Sequence, residues 1–243
     1  MKYAVIDTEG SGLFDYTKPA DAPGQPRMAS LGIITLDDDL AIENRHSWLI
    51  RPDGWVFDDK SEAAQKNGLT HAQLMADGVD AMEPLRLYSD LIAERRIVVG
   101  FNVLHDLKTL RAEMRYKGLP DLYMNTRYVC VMQGCRSLVD ARTDTGKKKA
   151  PRLEEACVYF QIDQGAGAHT GMGDAESAYQ ILVKLRDAGC MPAFKDPYEK
   201  TSEPKKAHRA HLDRQARPTG RDYEEQVIRE QQDFIGGASE DGK

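Results

Sequence analysis

The sequence predicts an α/β fold: a mixed sheet flanked by helices, followed by a flexible charged tail. Three observations lead there. Strand-like apolar runs crowd the first fifty residues, strand and helix patterns alternate after them, and apolar residues thin out sharply beyond Phe194. Segments 3–7, 28–36 and 46–51 read as an antiparallel meander. The 14–27 segment between the first two, rich in Pro, Asp and Gly, reads as a loop, and it is long for a hairpin connection. Residues 59–67 are weakly helical and stop at Gly68, and 70–76 form a short helix capped by Thr70. Residues 83–94 place Leu85, Leu87, Tyr88, Leu91 and Ile92 on one helical face. The run 97–101 is apolar throughout, as a parallel strand buried on both faces requires. Residues 105–116 form an amphipathic helix with Leu107, Leu110 and Met114 on one side. A strand near 128–131 and helices over 153–160 and 174–187 complete a unit spanning 1–190.

Residues 195–243 mix acidic and basic side chains with few aliphatics and carry Pro197, Pro204 and Pro218. Such a segment buries too little apolar surface to fold alone and reads as a linker or tail. Inside it, 223–234 could form a helix with Tyr223, Val227, Ile228 and Phe234 as a thin apolar stripe, suited to a partner or simply solvated.

With 41% hydrophobic and 30% charged residues in 243, the composition is that of an ordinary globular protein. A formal net charge of −6 argues against coating nucleic acid through bulk positive charge, but not against gripping a few nucleotides locally. No apolar run approaches the roughly 18 residues of a membrane span, and no signal-peptide pattern opens the chain. Cys130, Cys135, Cys157 and Cys190 lack zinc-type or CxxC spacing. Reduced thiols in a cytoplasmic protein with no membrane partner are the expectation.

Chemistry concentrates where the first strand ends, in Asp7-Thr8-Glu9-Gly10-Ser11-Gly12-Leu13. Strand side chains alternate, so Asp7 and Glu9 project from one face. Neighbouring carboxylates repel unless a cation or a proton lies between them, and hard oxygen ligands suit Mg²⁺ or Mn²⁺. A strand ending in a polar turn is the alternative. Asp106 stands at the start of the 105–116 helix, where a helix dipole alone would favour it. His169 and Asp174 form His-x4-Asp in a Gly-rich segment running into the last helix, and Asp174 read alone could be an N-cap. Taken together, these positions lie at strand or helix ends, where α/β sheets place their sites.

Asp7-x-Glu9, Asn102-x3-Asp106 and His169-x4-Asp174 resemble, in order and spacing, the three signature motifs of the DEDDh 3′–5′ exonucleases. This is the superfamily of the bacterial polymerase III proofreading (epsilon) subunit, ribonuclease T and oligoribonuclease. Asn67-Gly68-Leu69-Thr70 resembles that family's Gly-Ile/Leu-Thr turn, and Arg152-Leu153 with Gln161-Ile162 resembles the helix leading to its third motif. Departures are His105 where many members have Phe, Gly171 in place of a small Ala, Asn125-Thr126 for Asp-Thr, and the unmatched 14–27 insertion. Thr170 stands where tyrosine-type relatives carry their Tyr, so His169 assigns the subclass.

The resemblance implies a ribonuclease H-like sheet and a metal-dependent enzyme releasing nucleoside 5′-monophosphates from a 3′ end. It implies that Asp7, Glu9, Asp106 and Asp174 hold two Mg²⁺ or Mn²⁺ ions about 4 Å apart. His169 would deprotonate the attacking water, as an imidazole titrating near pH 6.5 can. Thr8, Gly10, Ser11, Gly12, Leu13, Leu69 and Thr70 would cradle the terminal nucleotide, with Asn102 nearby. Phe14, Tyr16 and Phe101 supply rings for base stacking. Lys147-Lys148-Lys149 could track a phosphate backbone, or be a solvated loop. The expected partner is single-stranded nucleic acid with a free 3′ end, DNA slightly before RNA. Residues 195–243 could also dock a polymerase or another replication or repair protein. The competing readings are a scaffold with a spent site and a ribonuclease H-like endonuclease.

Overall fold

The computed structural model describes residues 1–196. The tail beyond Asp196, with the 223–234 stripe, lies outside the described residues. Five strands form one sheet in the order β3-β2-β1-β4-β5: β1 (Tyr3–Gly10), β2 (Met28–Leu36), β3 (Ile42–Leu49), β4 (Ile97–Gly100) and β5 (Tyr128–Cys130). β2 pairs antiparallel with both β1 and β3, while β4 pairs parallel with β1 and β5, so the sheet is mixed. The helices are α1 (Glu62–Asn67), α2 (His71–Asp77), α3 (Met82–Ala93), α4 (Leu104–Tyr116), α5 (Val131–Cys135), α6 (Leu153–Phe160) and α7 (Gly171–Asp187).

Strand alternation divides the core into two layers. Val5, Ile34, Val99 and Val129 face Ala175, Ala178, Ile181 and Leu182 of α7, with α5 and α6 alongside. Ala4, Ile6, Ile33 and Val98 face Leu85 and Leu91 of α3 and Leu107 and Leu110 of α4. Every residue of β2 is buried, because that strand is covered on both faces.

Boundaries differ from the sequence reading where polarity misleads. β1 runs on through Glu9 to Gly10. β3 begins at Ile42 rather than 46, because Ile42, Asn44 and Arg45 pair with Leu36, Thr35 and Ile34 at an edge where polar side chains reach solvent. α7 begins at Gly171, since the Thr170 hydroxyl accepts the Gly173 N–H at 3.0 Å and caps the helix ahead of Asp174. Thr70 caps α2 in the same way, at 3.2 Å. The body continues past residue 190: Lys195 exchanges two backbone hydrogen bonds with Tyr128, at 2.8 and 2.9 Å.

Candidate active site

The C-terminal end of β1 is where the two helical layers meet. Asp7 and Glu9 share the face of Val5, toward α7, and Thr8 points to the other layer, toward α4. Directly across from Asp7 on β2 is Gly32. That glycine is a steric requirement. A Cβ on Gly32 would lie 2.4 Å from the Gly171 carbonyl oxygen, and one on Gly171 would lie 3.0–3.1 Å from Gly32 N, Asp7 O and Ser30 Oγ. The first turn of α7 therefore rests backbone against backbone on the sheet. This contact brings Asp174, in that turn, to Asp7 and Glu9, and the three offer carboxylate oxygens within 4.8 Å of one another.

His169 precedes the Thr170 cap in a left-handed conformation, φ 61°. Its backbone N–H donates to Asp174 Oδ1 at 3.2 Å. Its ring Nδ1 is buried without a partner, so Nε2 is the nitrogen left open.

Asp106 arrives from the opposite layer, in the first turn of α4, and is 3% exposed. Its Oδ1 accepts from the Thr8 N–H at 2.9 Å and the Thr8 hydroxyl at 2.8 Å. Both donors of Thr8, expected beside the terminal nucleotide, are engaged in fixing Asp106. Asp106 sits beside the other three carboxylates rather than within their 4.8 Å group, and its charge acts directly on Asp7.

Burial is the main force on all four acids. Burial, then repulsion from Asp106, Asp174 and Glu9, raises Asp7 well above the usual carboxylate range. Burial and Asp174 push Glu9 up to about 7, and burial pushes Asp106 up to about 7 against the bonds from Thr8. Burial also raises Asp174, against the His169 N–H. Packed acids that hold their protons this strongly are a donor set that a hard divalent cation would satisfy. Lys66, at the end of α1, is the nearby cation whose charge pulls Asp7, Glu9 and Asp174 back down.

No model of a known protein family matches the chain, and no curated protein matches it. Solved structures do. Escherichia coli exonuclease I in complex with a dT13 oligonucleotide is similar over 77% of this chain, with a TM-score of 0.62 and 18% identity. A full-length 3′-exonuclease is similar over 82%, with a TM-score of 0.62 and 14% identity. The nuclease domain of 3′hExo, a DEDDh family member, bound to rAMP, is similar over 81%, with a TM-score of 0.60 and 14% identity. The chain spans 42% of exonuclease I, 64% of the 3′-exonuclease and 97% of the 3′hExo domain. The chain shares the fold of these exonuclease structures.

Within that fold, the residues expected to cradle a nucleotide fare differently. Leu13 stands 87% exposed on the rim. Gly12 has open space where a side chain would be, and Asn102 is exposed in a left-handed conformation, φ 65°. Gly10 ends β1 opposite Met28. Ser11 is pinned: its N–H donates to Arg27 O at 2.9 Å and its hydroxyl accepts the Arg27 N–H at 3.0 Å. Leu69 is buried with Phe57 and Leu74, so it supports the turn from below, while Thr70 stays exposed. Of the rings named for stacking, Phe14 is buried against Ala20 and Ala112, and Phe101 is partly buried against the core. Lys149 is tied to Glu155 at 2.7 Å; Lys147 and Lys148 are exposed.

Sequence reasoning missed Gly32, whose part depends on strand register, and Lys66, whose place depends on how α1 packs. It also missed Asn67, which is buried and whose side chain hydrogen-bonds the Glu9 carboxylate and draws its pKa down. The Asn67-Gly68-Leu69-Thr70 match was the available signal, read for its turn and not for its first side chain.

Proposed function

We propose that this protein is a 3′–5′ exonuclease that removes nucleoside 5′-monophosphates from single-stranded nucleic acid, DNA before RNA. One observation carries the reading. Asp7, Glu9 and Asp174 converge within 4.8 Å, with Asp106 and His169 beside them, in a DEDDh fold. The similar structures support the substrate class, since exonuclease I holds dT13 and the 3′hExo domain holds rAMP.

Asp7, Glu9, Asp174 and Asp106 would hold Mg²⁺ or Mn²⁺, two ions in all. Such ions supply a water acidified toward neutral pH and positive charge against the scissile phosphate. The chain's own residues do the remaining work. Thr8 orients Asp106 by two hydrogen bonds, and the Gly32–Gly171 contact sets the distance from Asp7 to Asp174. His169 stands next to that group with Nε2 open and takes the proton of the attacking water. The bond from phosphorus to the 3′-oxygen breaks, and that oxygen leaves on the shortened strand. The rim from Gly12 to Leu13 meets the terminal nucleotide.

The protein belongs to the cytoplasm in this reading. Among the described residues no helix is long and apolar enough to cross a membrane. Docking to a polymerase or another replication or repair protein through 195–243 is a separable part. Removing the chain beyond Pro197 should leave nuclease turnover intact while abolishing complex formation.

The test is digestion of 5′-labelled single-stranded DNA and RNA with Mg²⁺ or Mn²⁺, with EDTA as control. The wild type should give a ladder shrinking from the 3′ end. His169→Ala should slow it by about 100- to 10,000-fold, as loss of a general base does. Absence of metal-dependent shortening in the wild type would reject the exonuclease reading and leave the scaffold. Cutting of a 3′-blocked strand would favour the endonuclease.

A further inference from the structure

The 14–27 insertion is heavily anchored for a loop. Its two ends are joined by the paired bonds between Ser11 and Arg27. Inside it, Gln25 Oε1 accepts the Asp15 N–H at 2.9 Å, and Gln25 Nε2 donates to Asp15 O at 2.8 Å and Pro19 O at 2.9 Å. Phe14 and Ala20 pack on Ala112 of α4, and Arg115 of the same helix pairs with Asp21 at 2.9 Å.

All this anchoring holds up one ring. Tyr16 is 65% exposed, yet its position is fixed at three points. Its hydroxyl shares a hydrogen bond with His105 Nδ1 at 3.2 Å, the Lys108 ammonium lies 4.4 Å from the ring centroid, and the Phe14 ring sits 6.3 Å away, tilted. The hydroxyl's partner His105 immediately precedes Asp106 in the first turn of α4, so the ring is anchored one residue from that carboxylate. Lys108 is engaged by both aromatic rings and by Asp15 O at 3.3 Å. What the platform offers is therefore a flat aromatic surface. Such a surface accepts any base by stacking and reads none by hydrogen bonds.

We propose that Tyr16 is the stacking platform for the base of the second nucleotide from the 3′ end, next to the terminal nucleotide at Leu13. The assignment rests on the exonuclease reading for the identity of its ligand. A ring already held in place loses little freedom when a base settles on it, so the stacking interaction is retained as affinity. The insertion then acts as a strand guide that favours single-stranded ends with an intact second base.

The experiment measures binding of the full chain, in Ca²⁺, to labelled single-stranded oligonucleotides by fluorescence anisotropy. One oligonucleotide is intact and one is abasic at the second position from the 3′ end. Tyr16→Ala should weaken binding of the intact strand about 10- to 100-fold, in the range of one lost base stack. The wild type should lose a similar factor on the abasic strand, Tyr16→Ala should be indifferent to the missing base, and Tyr16→Phe should bind as the wild type does. Two results would overturn the assignment: Tyr16→Phe as weak as Tyr16→Ala, or an abasic penalty equal in wild type and Tyr16→Ala. Wild-type hydrolysis of p-nitrophenyl thymidine 5′-monophosphate, which has no second base, reports the chemistry separately. Its absence would count against the exonuclease reading, while the binding series still decides the role of Tyr16.

Discussion

The two walls of the site at the end of β1, one on the α7 side and one on the α4 side, are built by opposite means. On the α7 side, backbone meets backbone: Gly32 and Gly171 bring helix and sheet together with no side chain between them. On the α4 side, side chains make the wall. Glu113, 1% exposed, takes two hydrogen bonds from the Arg27 guanidinium, at 2.7 and 2.9 Å, and a third from the Met28 N–H at 2.9 Å. Arg27 in turn lies 4.1 Å from the Tyr116 ring centroid and 5.5 Å from that of Trp55. A wall made by the absence of atoms fails when any atom is added. A wall made by satisfied buried charge fails when one partner is removed. Each carries an acid at the end of β1, Asp174 from one side and Asp106 from the other.

The sharpest way to break the first wall is Gly32→Ala. A methyl group 2.4 Å from a backbone oxygen cannot be absorbed by a rotamer change, so α7 must move. Destabilisation of about 3 kcal/mol is expected, at the upper end for overpacking. Activity should fall roughly 100-fold, since about 1 Å of misplacement suffices for that. Melting curves and nuclease turnover read the two effects together. The second wall breaks with Glu113→Ala, which strands Arg27 and the Met28 N–H. About 3–5 kcal/mol of stability should be lost, with a smaller effect on turnover of the surviving folded protein, because Asp106 is held separately by Thr8. If Glu113→Ala abolished turnover at full folding while Gly32→Ala spared it, the assignment of roles to the two walls would be reversed.

A smaller effect sharpens the comparison without mutation. All four acids, from both walls, hold their protons to higher pH in the folded chain than in the unfolded one. Between about pH 4 and 7 the folded state therefore carries more protons, and stability falls as pH rises through that window. Metal-free protein should lose on the order of 5 °C of Tm between about pH 5 and 8, and millimolar Mn²⁺ should restore most of it at the upper pH. A flat profile would mean that the acids do not crowd one another.

The two walls were also unequally legible. The side that carries Asp7, Glu9, His169 and Asp174 follows from short-range rules: strand alternation, a run of glycines, and a helix start. Those residues could be named before any contact was known. The engagement of Thr8 and Phe14 with α4 could not be read locally, because each looked free only until that helix was packed against it. Gly32 could not be singled out, since its importance lies in standing across from Asp7, a fact of register between strands separated by the insertion. The Arg27–Glu113 pair joins residues 86 positions apart, and nothing local marks either one. For the fold, buried strands were plain from their apolar runs, while the start of β3 was hidden by the polar side chains of an edge.

The central claim is that the end of β1 concentrates acids in a way a divalent cation relieves. Thermal melting of wild type and Asp7→Asn at about pH 8, without metal and with millimolar Mn²⁺, tests it most directly. The amide keeps the shape and removes the charge. The account predicts that Asp7→Asn melts above the wild type without metal, and that Mn²⁺ raises the wild type while leaving the variant nearly unmoved. A variant that melts no higher than a wild type indifferent to Mn²⁺ would contradict it.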